Sequence, residues 1–226
     1  MVAPEAEVFA LDYDDTTQRI ELSDSRLDIV NLSFGLISPS RNFSVLNGEA
    51  LAASVLAAAR ESSAVIVKAA GNAAVGEQPV SVDSRFRSSF DGSPTVVADI
   101  LNLALIGAES TIFVGALERN GTVENPTVLA EYSFFAGDNV TIQNQFLTVG
   151  VDSARMGGLA GTSFAAPIVS GYAAILGSKF EDATPRQIAG QLLNTAREDT
   201  IRGFDPALHG RGEASLSRAL SPDRIR

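Results

Sequence analysis

The 226-residue chain contains no cysteine. Disulfides, thiolate nucleophiles and cysteine-ligated zinc are therefore excluded. It contains one histidine, His209, so a single residue is available for any imidazole chemistry within the sequence. Basic residues are scarce: 17 Lys and Arg stand against 27 Asp and Glu, a net charge of -10. That balance argues against a nucleic-acid-binding surface, and otherwise speaks to solubility rather than to fold. Long apolar runs are missing as well. The most apolar stretch, Thr95 to Leu117, is interrupted by Asp99, Asn102 and Glu109, which makes it a poor membrane span. The opening MVAPEAEVFALDYDD has neither the basic leader nor the apolar core of an export signal. No internal repeat and no Pro/Ser-rich linker divides the chain. With 45% hydrophobic residues, a single domain over 1–226 with a large core is expected.

What is present is an alternation of apolar strands and helices. Strands are predicted at Ala6–Leu11, Asp28–Leu32, Ala64–Ala70 and Thr111–Leu117, and one or two over Val140–Val149. A helix is predicted from a cap at Asn47 to about Arg60, where LAASVLAAAR is rich in strong helix formers. A second runs from about Ser163 to Leu176. A third starts at Thr184, with Pro185 in its first position and Gln187 closing a capping box, and ends near Ala196. Ala73–Thr95 reads as irregular, and Asp99–Ala108 fits strand or helix. The strands show little polar alternation, as expected when both faces of a sheet are covered. The pattern predicts an α/β fold with a mainly parallel sheet flanked by helices. In such sheets chemistry gathers at the carboxyl ends of the strands.

Two strand ends and one helix start draw attention. In Gly161-Thr162-Ser163 a serine stands at a helix N-terminus, among free N–H groups and the positive end of the helix dipole. It can stabilise a developing oxyanion, or simply cap a tightly packed helix. Pro167 falls near the first turn, where a missing N–H costs least. Ala165, Ala166, Ser170, Gly171, Ala173 and Ala174 make the helix thin enough for close approach of neighbours. Gly71-Asn72 ends a strand with a side-chain amide that can donate to an oxyanion, or with an ordinary turn.

In this order, DIVNLSFG, VIVKAAGN and GLAGTSFAAPIVSG resemble the subtilisin-like serine peptidases, the subtilases. The last stretch matches their Gly-Thr-Ser-x-Ala-x-Pro nucleophile motif at every fixed position. MVAPEAEVFALD is similar to the strand that follows the family's histidine helix, and NTAREDTIRGFDPALHGRGEASLSRAL to its closing segment. The resemblance implies a three-layer fold and peptide hydrolysis through an acyl-enzyme. It makes Ser163 the nucleophile and Asn72, with the Ser163 backbone N–H, the oxyanion donors. Ser33, Phe34 and Gly35, and Ala69, Ala70 and Gly71, would flank the peptide. The separation of Asn72 from Ser163 exceeds that of compact members and implies an insertion at about 73–110.

The same resemblance marks a gap. The family's aspartate and histidine precede the VAP strand, which here starts at residue 2. His209 lies after the nucleophile, in DPALHGRG, and matches no catalytic motif. The acidic cluster Asp12, Asp14 and Asp15 is read as a solvated loop that lacks a full calcium-loop pattern. The fold is therefore expected to be N-terminally incomplete, with an exposed apolar edge, poor stability alone and no activity without an upstream segment. Alternatives are a non-catalytic, peptide-binding relative and a sedolisin-type acid peptidase, which carries an acidic residue where Asn72 stands. No cofactor is required by this chemistry. Structural calcium is implied by the family without an assignable site. The partners implied are a peptide or protein substrate, with no nucleic acid and no membrane span. Export to the medium or cell surface, in some members as an autotransporter passenger, follows from family habit alone.

Overall fold

The computed structural model describes residues 2–10, 19–22, 27–39, 50–88, 95–154 and 157–225. The predicted cap Asn47, the acidic cluster Asp12, Asp14 and Asp15, and Leu11 lie outside these residues. Seven strands are described: β1 (Ile29–Leu32), β2 (Ile37–Ser38), β3 (Val65–Ala69), β4 (Phe86–Ser88), β5 (Thr95–Asp99), β6 (Thr111–Leu117) and β7 (Phe146–Gly150). The helices are α1 (Ala50–Glu61), α2 (Ile100–Leu105), α3 (Val140–Gln145), α4 (Thr162–Lys179), α5 (Pro185–Asn194), α6 (Pro206–His209) and α7 (Leu216–Ala219).

Four strands form one parallel sheet in the order β1-β3-β6-β7. β3, β6 and β7 are buried along their whole length, which is why they read as largely apolar with little polar alternation. Alternate residues serve two cores. Val65, Val67, Ile112, Val114, Leu147 and Val149 pack with Ala166, Val169 and Ala173 of α4 and Ile188 and Leu192 of α5. Ile66, Phe113 and Phe146 pack with Val55 and Leu56 of α1 and Leu101 and Leu105 of α2. The expected α/β layering, helices on both faces of a parallel sheet, is what the chain adopts. The edge of β1 away from β3 takes no strand among the described residues.

The described residues of the stretch 73–110 hold more regular structure than their sequence suggests. β4 and β5 pair antiparallel, and β5 also pairs antiparallel with β2, giving a small second sheet. The ambiguous segment after Asp99 is helical, because the Asp99 carboxylate accepts the N–H groups of Leu101 and Asn102 and caps α2.

Three expectations are corrected. Residues 6–10, the described part of the strand read over Ala6–Leu11, join no ladder among the described residues and are exposed, and strand composition without a pairing partner makes no strand. Val140–Gln145 is helix α3, not strand, capped by the Asn139 side chain on the Thr141 N–H; only the second half of that segment is β7. Pro167 sits six residues into α4 rather than in its first turn. The Thr184 capping box and Pro185 start α5 as read. The thin face of α4 is occupied: a Cβ on Gly171 would lie 2.7 Å from Val2, and one on Gly177 2.5 Å from Leu27.

Candidate active site

Ser163 lies over the carboxyl ends of β1 and β3, on the first turn of α4. Gly161 holds the cap position with φ of 140°, a conformation that favours glycine, and offers no side-chain cap. Ser163 is thus the second helical residue and not the cap. The orphan N–H of Thr162 is satisfied from outside the helix: it donates to Asn72 Oδ1 at 2.8 Å. In return the Thr162 hydroxyl accepts the Gly71 N–H at 3.2 Å. These two bonds fasten the end of β3 to the start of α4. Because the amide oxygen of Asn72 takes the Thr162 N–H, its Nδ2 is the part of the side chain that can donate. Phe134 closes the rear, with its N–H on the Gly71 carbonyl at 3.0 Å. The Tyr132 phenol meets the backbone of Gly161, and burial raises its pKa.

The β1 end reaches the same place. Ser33 Oγ donates to the Ser163 carbonyl at 3.0 Å. It accepts from Asn31 Nδ2 at 2.9 Å, and Asn31 Oδ1 lies 3.2 Å from Ser170 Oγ on α4. Six of the eight residues singled out from sequence are therefore in one corner by direct bonding or chain adjacency: Ser163, Asn72, Ser33, Gly71, Ala70 and Ala69. Gly35 follows two residues after Ser33, and the half-buried Phe34 packs toward the α1/α2 core.

His209 is elsewhere. It is 3% exposed, at the end of α6 beside β7, the strand at the sheet edge opposite β1. Its Nδ1 lies 3.0 Å from the Asp205 carbonyl and its ring stacks on Phe204. Burial lowers its pKa below the usual 6.5. Its part is structural. Among the described residues, no group of three or more His, Asp or Glu gathers to hold a metal, and no helix is long and apolar enough to cross a membrane.

Sequence reading missed a buried ion pair. Lys68 Nζ donates to Asp99 Oδ2 at 3.0 Å, with the two residues 1% and 6% exposed. A lysine inside the apolar run VIVKAA was the available signal, because a fully buried lysine requires a counter-charge.

A parallel sheet with a serine-bearing helix start at its carboxyl ends, braced by a strand-end asparagine, defines an α/β protein of subtilisin-like layering. The chain belongs to the subtilase family, whose profile matches residues 2–216. It is 31% identical over 187 residues to Mycosin-4 of Mycobacterium tuberculosis, covering 78% of this chain and 38% of that protein. Among solved structures it resembles the periplasmic assembly from the ESX-5 inner membrane complex, at 27% identity and TM-score 0.54, covering 87% of this chain and 48% of that one. It shares its fold with the MycP3 protease from the type VII (ESX-3) secretion system, at 24% identity and TM-score 0.53, covering 85% and 53%. The chain thus spans between about two fifths and half of the length of these relatives.

Proposed function

We propose that this chain carries the nucleophile and oxyanion site of a serine endopeptidase. The observation that supports it best is the Asn72–Thr162 bond, which commits Asn72 Oδ1 to the N–H of the residue before Ser163 and leaves the Asn72 amide N–H groups as its donors. In the proposed reaction Ser163 Oγ adds to the scissile carbonyl and gives its proton to a base. The oxyanion takes hydrogen bonds from Asn72 Nδ2 and the Ser163 N–H. Collapse breaks the C–N bond, the amine leaves with the proton, and water then releases the acyl group by the same route. His209, buried against Asp205 beside the strand at the opposite edge of the sheet, is not proposed as that base. Calcium enters none of these steps. The likeness to the periplasmic assembly from the ESX-5 inner membrane complex supports placement outside the cytoplasm.

The test uses the protein at its natural length. A fluorophosphonate probe should label Ser163, and the protein should cleave fluorescein-labelled casein. Ser163→Ala should abolish both. Casein binding with neither labelling nor cleavage would favour a non-catalytic peptide-binding protein instead.

A further inference from the structure

The segments that would flank the peptide, 33–36 and 69–71, lie at and beyond the end of the β1–β3 pairing, whose last partners are Leu32 and Lys68. The start of α4 fastens both, through Ser33 and through Gly71, and a second set of bonds does so without Ser163. The Asp99 carboxylate sits against the first segment: Oδ1 accepts the Leu36 N–H at 3.1 Å, and a Cβ on Gly35 would lie 2.5 Å from Oδ2. Oδ2 accepts from Lys68 Nζ, which also donates to the Ala69 carbonyl at 2.7 Å in the second segment. Three residues along the same chain, Asn102 Nδ2 donates to the Ala70 carbonyl at 2.9 Å. One end of the short helix α2 therefore holds both segments.

We propose that Asp99, Lys68 and Asn102 form a clamp of positioning residues that fixes the two peptide-flanking segments at binding distance. This inference rests on the functional reading above. The physical case lies in the arrangement of charge. Bringing a lysine and an aspartate into the core is costly, and apolar residues of similar size would often fill the space as well or better. Packing alone thus gives no reason for the pair. Geometry gives one: each charged group also binds backbone in one of the two segments. Lys68 reaches only Ala69 and Asp99, while the other Asp99 oxygen holds Leu36 and the start of α2. Glycine at 35 is required because any side chain there would strike the carboxylate. The clamp touches neither Ser163 nor Asn72 in the hydrogen bonds that hold it. It should therefore govern how peptide is gripped more than how the serine reacts.

The test compares the natural-length protein with its Lys68→Met/Asp99→Asn double variant. The pair of changes removes both charges together and keeps an oxygen at 99 to cap α2. Three quantities are read: the rate of fluorophosphonate labelling at Ser163, kcat and KM for fluorescein-labelled casein, and casein affinity by anisotropy in a Ser163→Ala background. The expected result is at least a tenfold rise in KM and in the dissociation constant, with labelling slowed less than threefold. An unchanged KM and dissociation constant overturns the clamp. So does an equal loss in labelling and casein cleavage, which is the mark of general damage. If the parent is never labelled, the peptidase reading fails by itself, and the casein affinities still decide the clamp. A parent that binds no casein overturns both. Should the double variant not fold, Asn102→Asp, which replaces the donor to Ala70 with an acceptor, is read in the same three ways with the same outcomes.

Discussion

The Ser33 hydroxyl donates to the carbonyl oxygen of Ser163 across 3.0 Å, and Pro167 is the reason it can. In a regular helix the Ser163 carbonyl would accept the N–H of residue 167. Proline has none, so the acceptor is left open on the turn that carries the candidate nucleophile. Ser33 fills it from β1. Ser33→Ala should cost about 1 kcal/mol of stability, the usual net value of one such bond. Pro167→Ala supplies the missing N–H, and in that background Ser33→Ala should cost close to nothing. Urea denaturation of the four proteins of this cycle measures the coupling. Simple additivity would show that the two residues act independently.

The proposed reaction gives Asn72 a second job beside its bond to Thr162, and one substitution parts the two. Asn72→Asp keeps an oxygen to accept the Thr162 N–H, whose bond is 2.8 Å, but offers no N–H to an oxyanion. The melting temperature should stay within a few degrees of the parent's. kcat should fall by about 10²- to 10³-fold, the loss seen when an oxyanion donor is removed, with KM little changed. Equal activity in parent and variant would remove Asn72 from the oxyanion role.

The sequence made the sheet legible because β3 and β6 are buried on both faces, and burial on both faces leaves an apolar run that local reading recognises. Thr184, Pro185 and Gln187 announced α5 because a capping box is written within four residues. The failures share a cause. AEVFAL has strand composition, yet a strand exists only with a neighbour, and pairing is not a local property. Val140–Gln145 has strand-like residues, but the Asn139 cap starts a helix there. At the candidate site, motif and position singled out Ser163, Asn72 and Ser33, which the fold brings to one corner. The Lys68–Asp99 pair was not, because its members lie in separate elements and only the fold shows that they meet. Each was visible alone as a charge interrupting apolar sequence.

Gly71→Ala should be strongly destabilising. Gly71 has φ of 120°, which residues with a Cβ rarely adopt, and a Cβ there would lie 2.6 Å from the Phe134 ring. Strain and overpacking together should cost on the order of 2–4 kcal/mol. Gly76→Ala is the fitting control. It also has positive φ, at 84°, but nothing lies within 4 Å of its Cβ, so it should show the backbone part alone. A shift in denaturation midpoint for Gly71→Ala no larger than for Gly76→Ala would show that Phe134 yields freely.

Stability should depend on pH in two opposed ways, each traceable to one buried group. His209 has its pKa lowered, first by burial, with Asp205 partly opposing. The unfolded chain therefore binds a proton near pH 6.5 that the folded chain refuses. The stability this neutral histidine supports is present above 6.5 and is lost as the pH falls toward its folded value. Glu213, whose carboxylate accepts the Gly121 N–H at 3.0 Å, has its pKa raised, again chiefly by burial. The folded chain holds that proton more tightly, so its contribution is present below the ordinary 4.5 and is lost as the pH rises through the raised value. Urea midpoints measured from pH 4 to 8 should lose their acid-side decline in His209→Gln. In Glu213→Gln they should lose the decline that sets in above about 4.5. A His209→Gln profile that still falls below pH 6.5 as the parent's does would show that the histidine is protonated as readily in the fold as outside it.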